Sequence, residues 1–287
     1  MGSSTRAHTA AHLLRHPVID RFGSACRTDP RVLAAFVSGS HATGTADAHS
    51  DIDLGLITTE DAYQEFLTTR ADFIRLLGEP LFLEDFDRPE TLFFILADGT
   101  EGELAVGHAG NYQHIARGPY HLLLDRQGLL AGVTMRGTQP DPGKQREVVR
   151  RLIVWFWHDL SHFLTAIARG QLVWAYGQLE TLRCVCLSLA RLQHDPADTA
   201  IGPEAYFKVE QVLSAEQLSL FTASLCPLEA PAMLIAARVI GRLYGELAPG
   251  LAAAHGLAYP RALERLMLAR LEESTAFDRS GSSAASA

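Results

Sequence analysis

Residues 39–57, GSHATGTADAHSDIDLGLI, decide how the chain folds. At their end Asp51 and Asp53 alternate with Ile52, Leu54 and Leu56, the period of a β-strand that sends both acids to one face and the apolar residues to the core. Residues 33–37 just upstream read as a second apolar strand. It ends at Ser38-Gly39-Ser40, where glycine permits a turn and a close backbone approach to a ligand. Ser40 adds a hydroxyl and an amide, groups that a phosphate takes up. Two carboxylates one strand repeat apart suit a divalent cation, because Mg²⁺ is held by a few carboxylates together with phosphate oxygens and water. Phosphoryl chemistry asks little more of a protein than such positioning and charge neutralisation.

The segments around this stretch extend the same pattern. Helical spacing over residues 5–26 places Leu13, Val18, Ile19 and Phe22 on one inward face. Thr58-Thr59-Glu60-Asp61 reads as a helix start, and Phe66, Phe73, Ile74 and Leu77 continue the helix to a stop at Gly78-Glu79-Pro80. A short strand follows at 81–83. The apolar run 92–97, the turn dipeptide Asp98-Gly99 and the alternating return 100–107 read as a hairpin. On the return strand Glu101 and Glu103 share one face, so a third carboxylate is available beside the first two. Residues 108–135 read as a loop carrying Arg117-Gly118-Pro119-Tyr120-His121, then a last strand over 122–124.

Composition narrows the class. The chain has 287 residues, 47% hydrophobic and 20% charged, with a net charge of −8, enough for two domains with their own cores. An acidic balance argues against a partner bound through a phosphate backbone, which wants a clustered basic face. A small or cationic partner fits better. Lys144 and Lys208 are the only lysines, so a triphosphate clamp must rest on arginine and backbone amides. Cys26, Cys184, Cys186 and Cys226 show neither a disulfide framework nor a zinc spacing. No apolar run approaches the ~20 residues of a membrane span, and the N-terminus lacks a signal peptide, which predicts a cytoplasmic protein with no membrane partner.

After the turn cluster 137–143, GTQPDPG, the period becomes helical. Val149, Leu152, Ile153, Phe156, Leu160, Phe163, Leu164 and Ile167 form one stripe. Leu172, Ala175, Leu179, Leu182, Cys186 and Leu189 form a second. Further helices are expected over 203–213, 215–225, 228–247 and 260–273. The expected organisation is a domain over 1–138, a helical domain over 139–273 and a disordered tail over 274–287. His158 and His162 stand one helical turn apart, as in a helical zinc motif, but with Asp159 in the place of a glutamate and no third ligand they read as helix surface. Trp155, Trp157, Trp174 and Tyr176 read as core aromatics. Glu180 and Glu229 are acidic contacts available to a cationic molecule.

The glycine-serine turn, the spacer and the apolar-flanked Asp-x-Asp of SDIDLGL resemble the signature of the polymerase-β-like nucleotidyltransferase superfamily. An α/β half followed by a helical half resembles its two-domain antibiotic members, the lincosamide and aminoglycoside enzymes. Glu103, residues 117–121 and Arg169-Gly170 have counterparts in the lincosamide group. The resemblance implies an α+β fold: an N-terminal mixed β-sheet flanked by helices, then an all-helical C-terminal bundle. It implies two Mg²⁺ ions held by Asp51, Asp53 and Glu103, with Glu101 in reserve, and an NTP, ATP first, met by Gly39, Ser40, Ser50 and Arg117. A nucleoside monophosphate would pass to a hydroxyl of a small-molecule acceptor, with release of pyrophosphate, in a monomer or a homodimer. Thr43 stands near the place where many members carry a basic residue. Two alternatives remain open: transfer to a macromolecule, either a protein of the toxin-antitoxin type or an RNA end, and a non-catalytic nucleotide-binding module.

Overall fold

The segment VLAAFV, with no polar side chain, forms strand β1 (Val32–Val37) and is buried along its whole length, as a strand covered on both faces must be. It lies between two antiparallel neighbours, β2 (Ile52–Thr58) and β7 (His121–Asp125). On the far side of β2 the sheet continues with β5 (Glu101–His108), β4 (Thr91–Leu96) and β3 (Pro80–Glu84), in the order β3-β4-β5-β2-β1-β7. β2 and β5 run parallel and every other pairing in this sheet is antiparallel. The sheet is therefore mixed, and its one parallel junction carries the acids. This computed structural model describes residues 16–137, 141–198 and 200–284.

Two helices cover one face of the sheet. Helix α1 (Pro17–Thr28) starts with proline in its first turn, where the missing N–H costs nothing, and buries Val18, Ile19 and Phe22. The expected start of this helix, over 5–15, lies outside the described residues. A one-turn helix α2 (Gly39–Thr43) follows β1, and α3 (Tyr63–Arg75) buries Phe66, Phe73 and Ile74. Phe22, Phe66 and Phe73 pack edge-on and tilted at 5.2–6.1 Å between ring centroids, a geometry that favours aromatic pairs beyond their buried area. Residues 117–118, expected in a loop, pair instead as a two-residue strand β6 (Arg117–Gly118) with β8 (Met135–Arg136).

The chain divides into two compact units, Met1–Gln139 and Pro140–Ala287; the boundary expected at 138/139 falls outside the described residues. In the second unit α4 (Pro142–Ala168) begins with Asp141, whose carboxylate accepts from the Gly143 and Lys144 amides at 2.7 and 3.0 Å. It packs against α5 (Leu172–His194), α7 (Ala230–Ala254) and α8 (Arg261–Ala284). The stripes of α4 and α5 form the centre of this core: Val149, Leu152, Phe156, Leu160, Leu179, Leu182 and Leu189 are all buried. Each large side chain of this kind contributes about 1.5–3 kcal/mol. Helix α6 (Ala215–Ala223) is set by a reciprocal capping box between Ser214 and Gln217. No described residue of this unit lies in a strand.

Three expectations need correction. Residues 203–213 form two 3₁₀ turns, Gly202–Tyr206 and Val209–Gln211, in place of an α-helix. Lys208 between them takes φ 51°, which no helix accommodates. Helix α7 runs through Pro249 to Ala254, past the expected end at 247, because Leu251 and Ala252 still reach the core. Trp155, Trp174 and Tyr176, expected in the core, are 42%, 39% and 36% exposed, and of that group Trp157 alone is buried. Residues 285–287 lie outside the described part. The α+β class expected from the sequence is the observed one, and no helix among the described residues is long and apolar enough to cross a membrane.

Gly55 lies opposite Phe36 in the β1–β2 register, and a Cβ there would fall on the Phe36 ring. Gly55→Ala should therefore cost about 1–3 kcal/mol by overpacking. Urea unfolding of the single and double variants should show part of that loss restored when Phe36→Leu is added.

Candidate active site

Parallel pairing places residues side by side with their side chains on the same face. The register of β2 with β5 pairs Asp53 with Glu103, flanked by Ile52 with Gly102 and Leu54 with Leu104. Because Leu54 and Leu104 are buried on the opposite face, the two acids must project away from that core. Asp51 stands one residue ahead of β2 and is exposed, close enough for its charge to raise the pKa of Glu103. The three acids singled out in the sequence are thus neighbours, and Glu103, not Glu101, holds the position beside Asp53. Glu101 lines a neighbouring hollow of about 380 Å³ with Asp51, Ser50, His49 and His16.

The turn after β1 closes on the acids from the other side. The Ser38 amide donates to the Asp53 carbonyl at 2.9 Å, which ties the turn to the strand. Gly39 has φ 60° and sits against the Asp53 carboxylate, so that any Cβ would overlap it. Glycine is required here both by conformation and by space. A cleft of about 210 Å³ results, lined by Ser38, Gly39, Asp53 and Glu103, with Ile115, Ala116 and Arg117 on its far wall. A larger hollow of about 830 Å³ opens beside Gly78 and Leu81, but Glu79 is the only carboxylate among its lining residues.

The expected nucleotide contacts fall into two groups. Gly39 and Arg117 line the acid cleft. The Ser40 hydroxyl is buried without a hydrogen-bond partner, a costly state for a polar atom. Ser50 is otherwise engaged: its hydroxyl accepts from the Asp47 amide at 2.9 Å and lies 3.2 Å from the Asp47 carboxylate, shaping the loop before Asp51. His41, given no role by the sequence, is buried against His16, with ring centroids 6.1 Å apart. Burial and the neighbouring His41 hold the His16 pKa below its ordinary value.

Sequence reasoning missed Arg88. It follows two non-glycine residues with left-handed backbone, Phe86 (φ 49°) and Asp87 (φ 60°), and its guanidinium lies 3.4 Å from the Glu103 carboxylate. Nothing in the local pattern DFDRPE marks it as a partner of an acid on a later strand. Burial raises the pKa of Glu103 above the usual glutamate value, Arg88 lowers it and Asp51 raises it, with burial the largest effect.

The donor set fits a divalent cation. Carboxylate oxygens are the hard ligands that Mg²⁺ prefers, and Asp53 and Glu103 offer them side by side on one face of the sheet. Among the described residues no three such side chains are already drawn together as a cage. One or two carboxylates are what Mg²⁺ takes from a protein when phosphate and water supply the rest.

Comparison with known proteins adds a family. Residues 19–91, which hold the Gly-Ser turn and the Asp-x-Asp strand, match the family of the nucleotidyltransferase domain. No curated protein matches the sequence. Among solved structures, an aminoglycoside 6-adenyltransferase from Bacillus subtilis aligns over 91% of this chain and 99% of its own, at 11% identity and a TM-score of 0.42.

A carboxylate whose pKa is raised by folding weakens the fold above its unfolded pKa. The penalty is absent well below ~4.5 and grows as pH rises through the folded value. Glu103→Gln should therefore raise the melting temperature of the metal-free protein at neutral pH. The gain should shrink toward zero as melts are repeated down to about pH 4.

Proposed function

We propose that this chain, whose residues 19–91 match the nucleotidyltransferase domain family, transfers a nucleoside monophosphate, AMP from ATP in the first instance, to a hydroxyl of a small molecule. The observation that carries this reading is the side-by-side pairing of Asp53 with Glu103, with Asp51 near enough to act on it. Asp51, Asp53 and Glu103 would hold Mg²⁺, which when bound neutralises triphosphate charge and lowers the pKa of an acceptor hydroxyl.

The chain's own residues supply the remaining parts. Gly39 lets the backbone approach the phosphates closely, and the unpartnered Ser40 hydroxyl supplies a hydrogen bond to them. Arg117, in the wall of the acid cleft, offsets phosphate charge in the place of the absent basic residue near Thr43. Glu103 would complete the metal set or, with its pKa raised by burial, take the hydroxyl proton as general base. The acceptor oxygen bonds to the α-phosphorus, the bond from that phosphorus to the pyrophosphate oxygen breaks, and the hydroxyl proton passes to Glu103 and then to water.

In this reading residues 1–138 carry the chemistry and residues 139–273 select the acceptor. A lincosamide or an aminoglycoside is the acceptor class we infer. The net charge of −8 favours a polycation, while the segments at 117–121 and 169–170 favour a lincosamide.

Pyrophosphate release from each NTP with Mg²⁺, against a panel of both drug classes, tests the reading. Release should depend on one class, and Asp53→Asn should reduce it by roughly a hundredfold or more, the scale of losing one charged group at a reacting centre, with the protein still folded. Release that persists in a folded Asp51→Asn/Asp53→Asn protein would overturn the assignment.

A further inference from the structure

The helical unit contains a hollow of about 570 Å³ that the transfer reading does not use. It lies against α4, α5 and the 3₁₀ turn Gly202–Tyr206, with Leu152, Trp155, Val185, Ile201 and Pro203 as its apolar wall. Its size is that of sites that enclose drug-sized molecules. Trp155 and Ile201 remain 42% and 43% exposed, so the wall offers apolar surface to a ligand.

Two polar features give the hollow a chemical sense. The first is Ser188, which lines it, is 1% exposed, and has a hydroxyl with no hydrogen-bond partner. A serine within a helix ordinarily turns its hydroxyl back to a carbonyl of the preceding turn. Leaving that hydroxyl unbonded in an apolar setting costs the fold and serves no packing purpose.

The second is the sign of the charges. Asp159 and Glu180 line the hollow, and no arginine or lysine does. Glu180 is already engaged by the Arg183 guanidinium at 2.8 Å and by the Tyr206 hydroxyl. Asp159 is met by His158 Nδ1 at 2.8 Å, its side chain 17% exposed. Arg151 stays on the Trp155 ring, 4.3 Å from its centroid. A cation entering the hollow finds a carboxylate paired only with a histidine; an anion finds two carboxylates.

We propose that this hollow is a binding site for an amphipathic amine: an apolar body against the wall, a protonated nitrogen at Asp159, and a hydrogen-bonding group at Ser188. The proposal does not rest on nucleotidyl transfer, and binding is measured without nucleotide.

The test uses the full chain and three probes of one shape: 4-phenylbutylamine, 4-phenylbutan-1-ol and 4-phenylbutanoate, titrated by calorimetry near neutral pH. The amine should bind one to one and about two- to fivefold more tightly than the alcohol, the range of one partly exposed charge pair, and the carboxylate should not bind. Asp159→Asn should erase the difference between amine and alcohol. Gly177 lines the hollow within α5, and a Cβ there meets nothing within 4 Å, so Gly177→Phe fills the space without straining the helix. It should abolish binding of every probe with the melting temperature unchanged or raised. Ser188→Ala should likewise melt no lower than the parent, since no bond is lost. Failure of all three probes, equal affinity for amine and alcohol, or binding that survives Gly177→Phe would overturn the site. A drop of several degrees in Ser188→Ala would remove the observation that supports it.

Discussion

The parallel pairing of β2 with β5 is the constraint on which the active cleft depends. A shift of one residue in that register would turn Glu103 into the core and bring Leu104 out beside Asp53. The register is fixed from below by Ile52, Leu54 and Leu56 against Leu104 and Val106, all buried. Glycines clear the space around it. Gly39 admits the Asp53 carboxylate, Gly55 admits Phe36, and Gly102 admits Phe94 and the Ile52 carbonyl. The apolar face of the sheet thus sets which side chains stand together on the other face.

This arrangement runs against stability. Glu103 is held beside Asp53 and within reach of Asp51, partly buried, with Arg88 as its recorded ion-pair partner at 3.4 Å. That pair is largely exposed, and exposed pairs contribute little. A structural charge in the same chain looks different. Arg183 is fully buried, yet its guanidinium donates to the Ser224 carbonyl and hydroxyl and to Glu180, a satisfied network of the kind that makes burial tolerable. A partly buried carboxylate whose pKa is raised by its surroundings, in a cleft it shares with a second acid, is a candidate for function on physical grounds.

What the sequence made legible was local in origin. The alternation through residues 51–57, the Asp98-Gly99 turn and the two helical stripes after residue 148 each depend on neighbours in the chain, and the structure contains all of them. The choice between Glu101 and Glu103 was weaker, since both share a face and only inter-strand register separates them. Arg88, the β6–β8 pair and the 3₁₀ turns after Gly202 were out of reach. The first two are contacts between distant residues. The third depends on a left-handed Lys208 that no propensity favours. Helix α7 passes Pro249 because core packing outweighs the local cost of proline.

The acid cleft and the helical hollow differ in what they can discriminate. Carboxylates, backbone amides and arginine recognise phosphate and hydroxyl, which every acceptor of a nucleotidyl group shares. In the proposed reading the acid cleft therefore serves the reaction and leaves the acceptor open. Discrimination among small molecules of any kind needs shape and apolar contact, where each misplaced methylene is worth about 1–3 kcal/mol, and it gains most where a buried polar group would otherwise go unpaired. Among the described residues the hollow lined by Leu152, Trp155 and Ser188 has both properties, an apolar wall and an unsatisfied hydroxyl. Selectivity and chemistry are thus written in different residue types. An acidic strand reads plainly in a sequence because its spacing is the chemistry. A helical pocket does not, because the same leucines and tryptophans at the same spacing would also build an ordinary core.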